Sequence, residues 1–358
     1  MPTFRTGTVT EISSVTRDGV QRLRVDVDGA SRRAVLFPRW CAPASVGDRV
    51  VINTTAVDLG LGTGGDDFVV WNSAVESHEA PSGGHIMKLR YTPAQSDVLA
   101  VEAQESPHHD VMANASSLSG VPVVATSLHS QLVPALVAFR RARPDAAVAY
   151  VMTDGAALEA GYSKTLDRLR DLGWLAGIVT AGHAIGGDLE AVTLHNGLLA
   201  AKHVLHADLV IAGIGPGVVG TGTPFGTTAL DLGTIALATS ALGGRSIVCV
   251  RLSEADPRER HRGLSHHVVS ALRWVAAAAV PPDAVVVVPS GHGIEGLTQT
   301  LAPWTVVEED AGDVLADLSA ARAVGLESSH MGRTPADDEL FFRAAAAAGA
   351  YAARVVNG

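Results

Sequence analysis

Cysteine is scarce in this chain. Cys41 and Cys249 are the only two, far apart and in chemically plain contexts, which is the usage of a reduced protein rather than of a disulfide scaffold. Charge is scarce too, at 18% of residues, and its balance is negative: 27 basic against 37 acidic side chains, a net charge of −10. An acidic chain is repelled by nucleic acid and by anionic membrane, so neither is an expected partner, while a local basic patch remains able to hold an anion. No apolar run reaches the roughly 18 residues needed to cross a bilayer. The longest, around Trp274 to Val288, is broken by Pro281-Pro282-Asp283. The first residues, Met1-Pro-Thr-Phe-Arg-Thr-Gly-Thr8, lack the apolar centre of a signal peptide, and the expectation is a cytoplasmic protein. No repeat is present, and the nearest thing to low complexity is Ala345 to Ala350 in a terminal helix.

Three chemistries lack their signatures. There is no Gly-Lys-Ser/Thr for a Walker A loop, no G-x-S-x-G elbow for a serine nucleophile, and no H-E-x-x-H or C-x-x-C for a metal. The spacing therefore predicts no metal site, and it names no cofactor.

What is present is a chain that is 47% hydrophobic with 37 glycines over 358 residues, enough to bury a large α/β core. Up to about Trp71 the pattern alternates with period two, in Thr8–Ile12, Gln21–Val27, Arg33–Phe37, Asp48–Asn53 and Asp67–Trp71. Gly, Asp and Pro turns separate these segments, so they read as a small β-barrel of the OB or SH3-like kind. Ser73 to Gly84 is polar and reads as a linker. The expected division is thus a barrel with its linker over 1–84 and an α/β domain over 85–358.

From Leu89 onward, continuous apolar runs alternate with amphipathic helices. The runs are Val98–Val101, Val121–Ala125, Ala147–Val151, Ile178–Thr180, Leu209–Ala212, Ile247–Val250 and Val285–Val288. The helices include Gln131–Arg141, Thr165–Leu172, Asp188–Leu205 and Thr227–Leu242. Such alternation signifies a mainly parallel, doubly wound sheet covered on both faces. The Ala-rich helices Trp274–Val280 and Ala344–Val356 are open to two readings, core or the face of a homo-oligomer.

Parallel sheets bind ligands beyond the carboxyl ends of their strands, and here each run ends in polar or Gly-rich sequence, the last in Pro289-Ser290-Gly291-His292. The densest such segment is Gly213-Ile-Gly-Pro-Gly-Val-Val-Gly-Thr-Gly-Thr-Pro-Phe-Gly226. Its Gly215, Gly217 and Gly220 spell G-x-G-x-x-G, but Gly222, Pro224 and Gly226 postpone the helix that a dinucleotide fold begins inside the motif. The main-chain N–H groups of Gly215, Gly217, Gly220, Thr221, Gly222 and Thr223 are candidates to cradle a phosphate or carboxylate, against the plainer reading of a tight connection.

A second constellation is Asp256-Pro-Arg-Glu-Arg-His-Arg-Gly-Leu-Ser-His-His267. Arg258, Arg260 and Arg262 offer forks for an anion, or a solvated charged surface. Ser265 reads as the N-cap of a helix from Val268, with His266 and His267 in its first turn. Successive helix positions point about 100° apart, so the two are not expected to meet on one ion. His261, His266 and His267 are candidates for proton transfer. In the third segment, Gly182-His183-Ala-Ile-Gly-Gly-Asp188-Leu-Glu190, Asp188 reads as an N-cap and Glu190 as a first-turn charge, leaving His183 as the leading general acid/base candidate. Asp154 either caps the next helix or binds a substrate hydroxyl or a metal, and in an enzyme it would orient substrate or histidine.

Together, Thr153–Ala157, Gly182–Ala191, Gly213–Thr223 and Asp256–His267 resemble an actinobacterial and clostridial-type bacterial family of about this length, a domain of unknown function. The resemblance covers nearly the whole chain and implies a cytosolic bacterial protein. It carries no activity and no catalytic residues with it. The residues themselves point to an enzyme acting on a small anionic metabolite. The competing reading is a regulatory protein that binds a small molecule or nucleotide without chemistry, and a third is a scaffold.

Overall fold

The computed structural model describes residues 1–62, 64–80, 83–278, 284–291 and 294–356. The Pro281-Pro282-Asp283 break, the end of the Trp274–Val280 segment, Pro81-Ser82 of the linker and His292 lie outside the described residues. Two compact units are present, Met1–Leu99 with Gly161–Asp167, and Ala100–Ala160 with Arg168–Gly358. No helix among the described residues is long and apolar enough to cross a membrane.

In the first unit, β1 (Phe4–Val15), β2 (Gln21–Val27), β3 (Ala30–Leu36), β4 (Arg49–Asn53), the short helix α1 (Thr55–Asp58) and β5 (Asp67–Asn72) follow in chain order. The strands close into a barrel in the order β1-β2-β3-β5-β4. Period-two patterning builds it: in β2, Gln21, Leu23, Val25 and Val27 are buried while the residues between them are not. Val9, Leu23, Val25, Leu36, Val50 and Ile52 fill the interior. A hairpin of β6 (Ile86–Lys88) and β7 (Ser96–Val98) completes this unit. Val98–Val101 is therefore not the first strand of the large sheet. Val98 ends the hairpin, and Ala100 makes only one isolated parallel bridge, to Glu190. A buried crossing is apolar just as a buried strand is, so the run alone does not distinguish them.

The second unit runs through α2 (His109–Asn114), β8 (Pro122–Thr126), α3 (Leu132–Ala142), β9 (Val148–Thr153), α4 (Lys164–Asp171), β10 (Gly177–Ala181), β11 (Leu189–Ala191), α5 (Leu194–His203), β12 (Leu209–Ile214), α6 (Asp231–Ala241) and β13 (Arg245–Cys249). It continues with the short pair β14 (Leu252–Ser253) and β15 (Gly263–Leu264), then α7 (His266–Ala278), β16 (Val285–Pro289), α8 (Ile294–Leu301), β17 (Thr305–Glu309), α9 (Val314–Ala323) and α10 (Glu339–Val355). α4 straddles the division between the units. Eight strands form one sheet, all parallel, in the order β11-β10-β9-β12-β8-β13-β16-β17. Every residue of β8, β9, β10 and β12 is buried, which is why these strands read as continuous apolar runs. In α10, Ala344 to Ala348 are fully buried within this chain, against α3 and the sheet, so that stretch is core.

The Asp188–Leu205 helix of the sequence reading begins later. Leu189–Ala191 is the edge strand β11, and Thr193 is the N-cap of α5, its hydroxyl accepting from the Asn196 N–H at 3.2 Å. Asp188 accepts instead from the Ile178 N–H at 2.8 Å and pairs with Arg170. Glu190 is buried, accepting from the Thr180 hydroxyl at 2.7 Å and the Gly186 N–H at 2.8 Å. A three-residue strand is too short for period two to register, so tertiary pairing overrode the helical pattern there.

Strand order decides where a ligand fits. From β8 the chain steps outward to β9, β10 and β11; from β12 it steps the other way, to β13, β16 and β17. β8 and β12 are neighbours, so the order reverses between them. Right-handed crossovers in both directions put α3 and α6 on opposite faces, and the carboxyl ends of such a sheet are where ligands bind.

Candidate functional site

The Gly-rich segment leaves the carboxyl end of β12 beside β8. It folds into a small hairpin with a bridge between Gly220 and Thr227. The Thr221 N–H donates to the Gly226 carbonyl at 2.8 Å and the Thr228 N–H to the Val219 carbonyl at 3.0 Å. At the exposed tip the Thr221 and Thr223 hydroxyls lie 2.9 Å apart, and Thr221 also donates to the Gly226 carbonyl. Gly217 and Gly222 have φ of +105° and +83°, conformations glycine adopts without steric cost. No helix starts until Asp231, after a 3₁₀ turn at Thr228–Leu230, so the postponement seen in the sequence is real.

Against this hairpin lies the first turn of α7. A Cβ on Gly220 would sit 2.6 Å from His267 Nε2, closer than such atoms approach, so this glycine is what lets the loop backbone meet the imidazole. His261, His266 and His267 gather there. Their ring centroids are 4.3 Å apart for His266–His267, 4.7 Å for His261–His267 and 5.0 Å for His261–His266. Each offers a ring nitrogen within 4.8 Å of the others'. This corrects the expectation that neighbouring helix positions keep the two rings apart. The 100° angle separates Cβ directions only, and at a first turn no preceding turn restricts χ1.

Ser265 organises the group. Its hydroxyl accepts from the His267 N–H at 3.3 Å, as an N-cap does, and lies 2.8 Å from His261 Nδ1. Three shielded nitrogens, His266 Nε2 and both of His267, have no hydrogen-bond partner among the described residues. Leaving such groups unsatisfied costs about 1–3 kcal/mol each. Burial, then the Arg251 and Arg258 cations, push His261 down to about 3; burial, then His266 and Arg251, push His267 down to about 4. Burial and Arg260 lower His266 as well. All three rings are neutral at pH 7.

Beneath them is an ion-pair network. Asp256, with no exposed side-chain surface, pairs with buried Arg251 at 2.9 Å and receives Arg258 through Nε and a terminal nitrogen, each at 3.0 Å. Arg333 reaches Asp256 at 3.3 Å and Asp338 at 3.1 Å, and Asp338 accepts from the Ser253 hydroxyl at 2.6 Å. Burial opposes the Asp256 charge, but Arg258 and Arg251 outweigh it and hold its carboxyl well below the usual carboxylate range. Burial pulls Arg251 down to about 10, still charged at neutral pH. Arg258 is thus committed to Asp256, while Arg260 and Arg262 are exposed.

Asp154 follows β9 and accepts from the His183 main-chain N–H at 2.9 Å. It caps the turn after β10 and sets where His183 stands. Gly182 (φ +67°) has no room for a Cβ beside the Asp154 carboxylate. Asp231, which opens α6, accepts from the Thr153 hydroxyl at 2.7 Å. Burial raises its pKa, Thr153 opposes this, and the nearby Asp154 charge adds to it. The structure therefore brings His261, His266, His267 and Gly220 together, and separately pairs His183 with Asp154.

Sequence reasoning missed His330, Arg333 and Asp338. His330 stacks on Phe341 at 4.0 Å and its Nδ1 lies 3.1 Å from the Ser130 hydroxyl. Burial, then Arg251, push it down to about 3. Only its polarity marked the segment 327–338, which has no apolar period. Half-buried His129 meets buried Tyr150, their ring nitrogen and hydroxyl 3.2 Å apart, and the Tyr150 hydroxyl donates to the Ile214 carbonyl at 3.1 Å.

The architecture defines a class: a parallel α/β domain with its polar groups gathered at the order reversal, joined in one chain to a closed five-stranded barrel. Residues 33–349 match the model of the family described as protein of unknown function (DUF3866), and the chain belongs to that family. No curated protein matches it.

Proposed function

We propose that the chain is an enzyme acting on a small anionic metabolite, phosphorylated metabolites among them, bound beyond the carboxyl ends of β8 and β12. One observation carries this reading: the Gly-rich hairpin at the order reversal meets the His267 imidazole at Gly220. Main-chain N–H groups of Gly215, Gly217, Gly220, Gly222 and Thr223, with exposed Arg260 and Arg262, hold the anion; the Thr221 N–H drops out of the expected set because it already donates to the Gly226 carbonyl at 2.8 Å. Arg258 supports it indirectly by neutralising Asp256. A bound anion raises the proton affinity of His261, His266 and His267 from their depressed values towards neutrality, where a general acid/base is effective. His183, placed by Asp154, supplies the second proton-transfer group. Cytoplasmic placement is part of the same proposal, supported by two buried free thiols, Cys41 and Cys249.

Thermal unfolding against nucleotides, sugar phosphates and carboxylates tests it. A ligand at about 100 times its Kd adds about 2.7 kcal/mol, a shift of several degrees. The stabilisation should vanish in Arg260→Ala and Gly220→Val. With that ligand in hand, His183→Ala should lower turnover by about 10²–10⁴-fold while leaving binding in place. Binding without turnover in the wild type would turn the assignment to a regulatory small-molecule or nucleotide-binding protein.

A further inference from the structure

We propose that His261, His266 and His267 form a binding site for one divalent transition-metal ion, with zinc the best match. The proposal rests on the reading above for the ion's use, though not for the ion's binding, and it changes one role there: with the ion bound the three imidazoles are ligands, and His183 is left as the proton-transfer group. Three imidazoles converge with ring nitrogens no more than 4.8 Å apart. A tetrahedral zinc ion with Zn–N bonds of about 2.0–2.1 Å needs separations of about 3.3–3.4 Å, which imidazole rotation supplies. His261 and His267 are 1% and 3% exposed, so the ligands are held in a shielded place rather than scattered on a surface.

Hydrogen bonding assigns the atoms. A metal-bound histidine almost always donates its other ring N–H to an oxygen, which fixes the tautomer. Ser265 Oγ stands 2.8 Å from His261 Nδ1, so Nδ1–H donates there and Nε2 is left to ligate. Among the described residues, His266 Nε2 and both nitrogens of His267 are shielded without hydrogen-bond partners, an arrangement that native proteins seldom keep; a metal ion would take the one lone pair that each neutral ring offers.

Three nitrogen ligands and an open fourth position match the catalytic zinc pattern rather than the closed structural one. Neutral ligands leave the full +2 charge on the ion, beside the Gly-rich backbone at Gly220. The fourth position then takes an oxygen of the anionic metabolite or a water molecule. The Arg251, Arg258 and Arg260 cations nearby disfavour a bare dication, so zinc and anion should each strengthen the other's binding.

The test begins with the full chain stripped by a chelator and titrated with Zn2+ alone, with no organic anion present. One equivalent should bind, and Co2+ in its place should give the intense visible bands of tetrahedral coordination. His266→Ala, at a half-buried position the fold tolerates, should weaken Zn2+ at least 100-fold. Ser265→Ala should weaken it about 10–100-fold through the lost orienting bond. Absence of stoichiometric Zn2+ binding by the folded wild type, weak octahedral Co2+ bands, or unchanged affinity in His266→Ala would each overturn the proposal. The anion panel repeated in chelator separates the two ideas: an anion that binds there leaves the functional reading standing whatever the metal does.

Discussion

Lowering the pH from 7 to 5 should cost the folded chain about 4 kcal/mol of stability or more. The cause is the set of buried neutral histidines. In the unfolded chain an imidazole takes up its proton near pH 6.5. In the fold, burial followed by neighbouring cations holds His261 and His330 to about 3 and His267 to about 4. Between those values the unfolded state binds more protons, so stability falls as pH falls, by up to about 1.4 kcal/mol per pH unit for each histidine. His330 alone accounts for about 2 kcal/mol at pH 5, and the trio for at least as much, titrating as a group because its members interact. Urea midpoints between pH 7.5 and 5 provide the measurement; a flat profile would mean that the imidazoles are not held neutral. Asp256 does not contribute in that window. Its carboxyl is depressed in the fold, so its stabilisation is complete above the unfolded value near 3.9 and is lost only as pH falls below that.

Replacing Asp256 by Asn should destabilise the chain by about 3–5 kcal/mol, because it strips the counter-charge from buried Arg251 while leaving the shape. Arg258 and Arg333 lose the same partner. In thermal denaturation the effect is a fall on the order of 10 °C. The double variant Asp256→Asn/Arg251→Met should regain part of the loss, since removing both charges abolishes the desolvation problem that removing one creates. A double variant as unstable as the sum of its parts would show that the network acts through packing and not through charge.

Apolar runs of three to five residues, such as Val121–Ala125, Ala147–Val151 and Leu209–Ala212, marked the sheet because full burial removes alternation. Val98–Val101 has the same character and misled, since a buried crossing and a buried strand are spelled alike, and Leu189–Ala191 is too brief for period two to register. For the candidate site, the glycine cluster at Gly213–Gly226 was visible because it contradicts its apolar surroundings. The convergence of His261, His266 and His267 was not, since it depends on rotamers at a helix start and on Ser265 bridging two of them. The commitment of Arg258 to Asp256 was hidden likewise, because a fork free for an anion and a fork already filled have the same spelling. His330 and Arg333 arrive from some 70 residues beyond the histidine trio, and one chain gives no local sign of that meeting.

The central claim is that the Gly-rich hairpin and the α7 histidines are one ligand site, and the ring 1H–15N resonances of the histidines test it most directly. Titrating inorganic phosphate and pyrophosphate into the wild type should shift His267, with His261 and His266, at concentrations that leave His195 and His203 unmoved. In Gly220→Val, where a side chain displaces the His267 ring, those shifts should disappear. Anion-induced shifts confined to other histidines, or equal in the variant, would contradict the account.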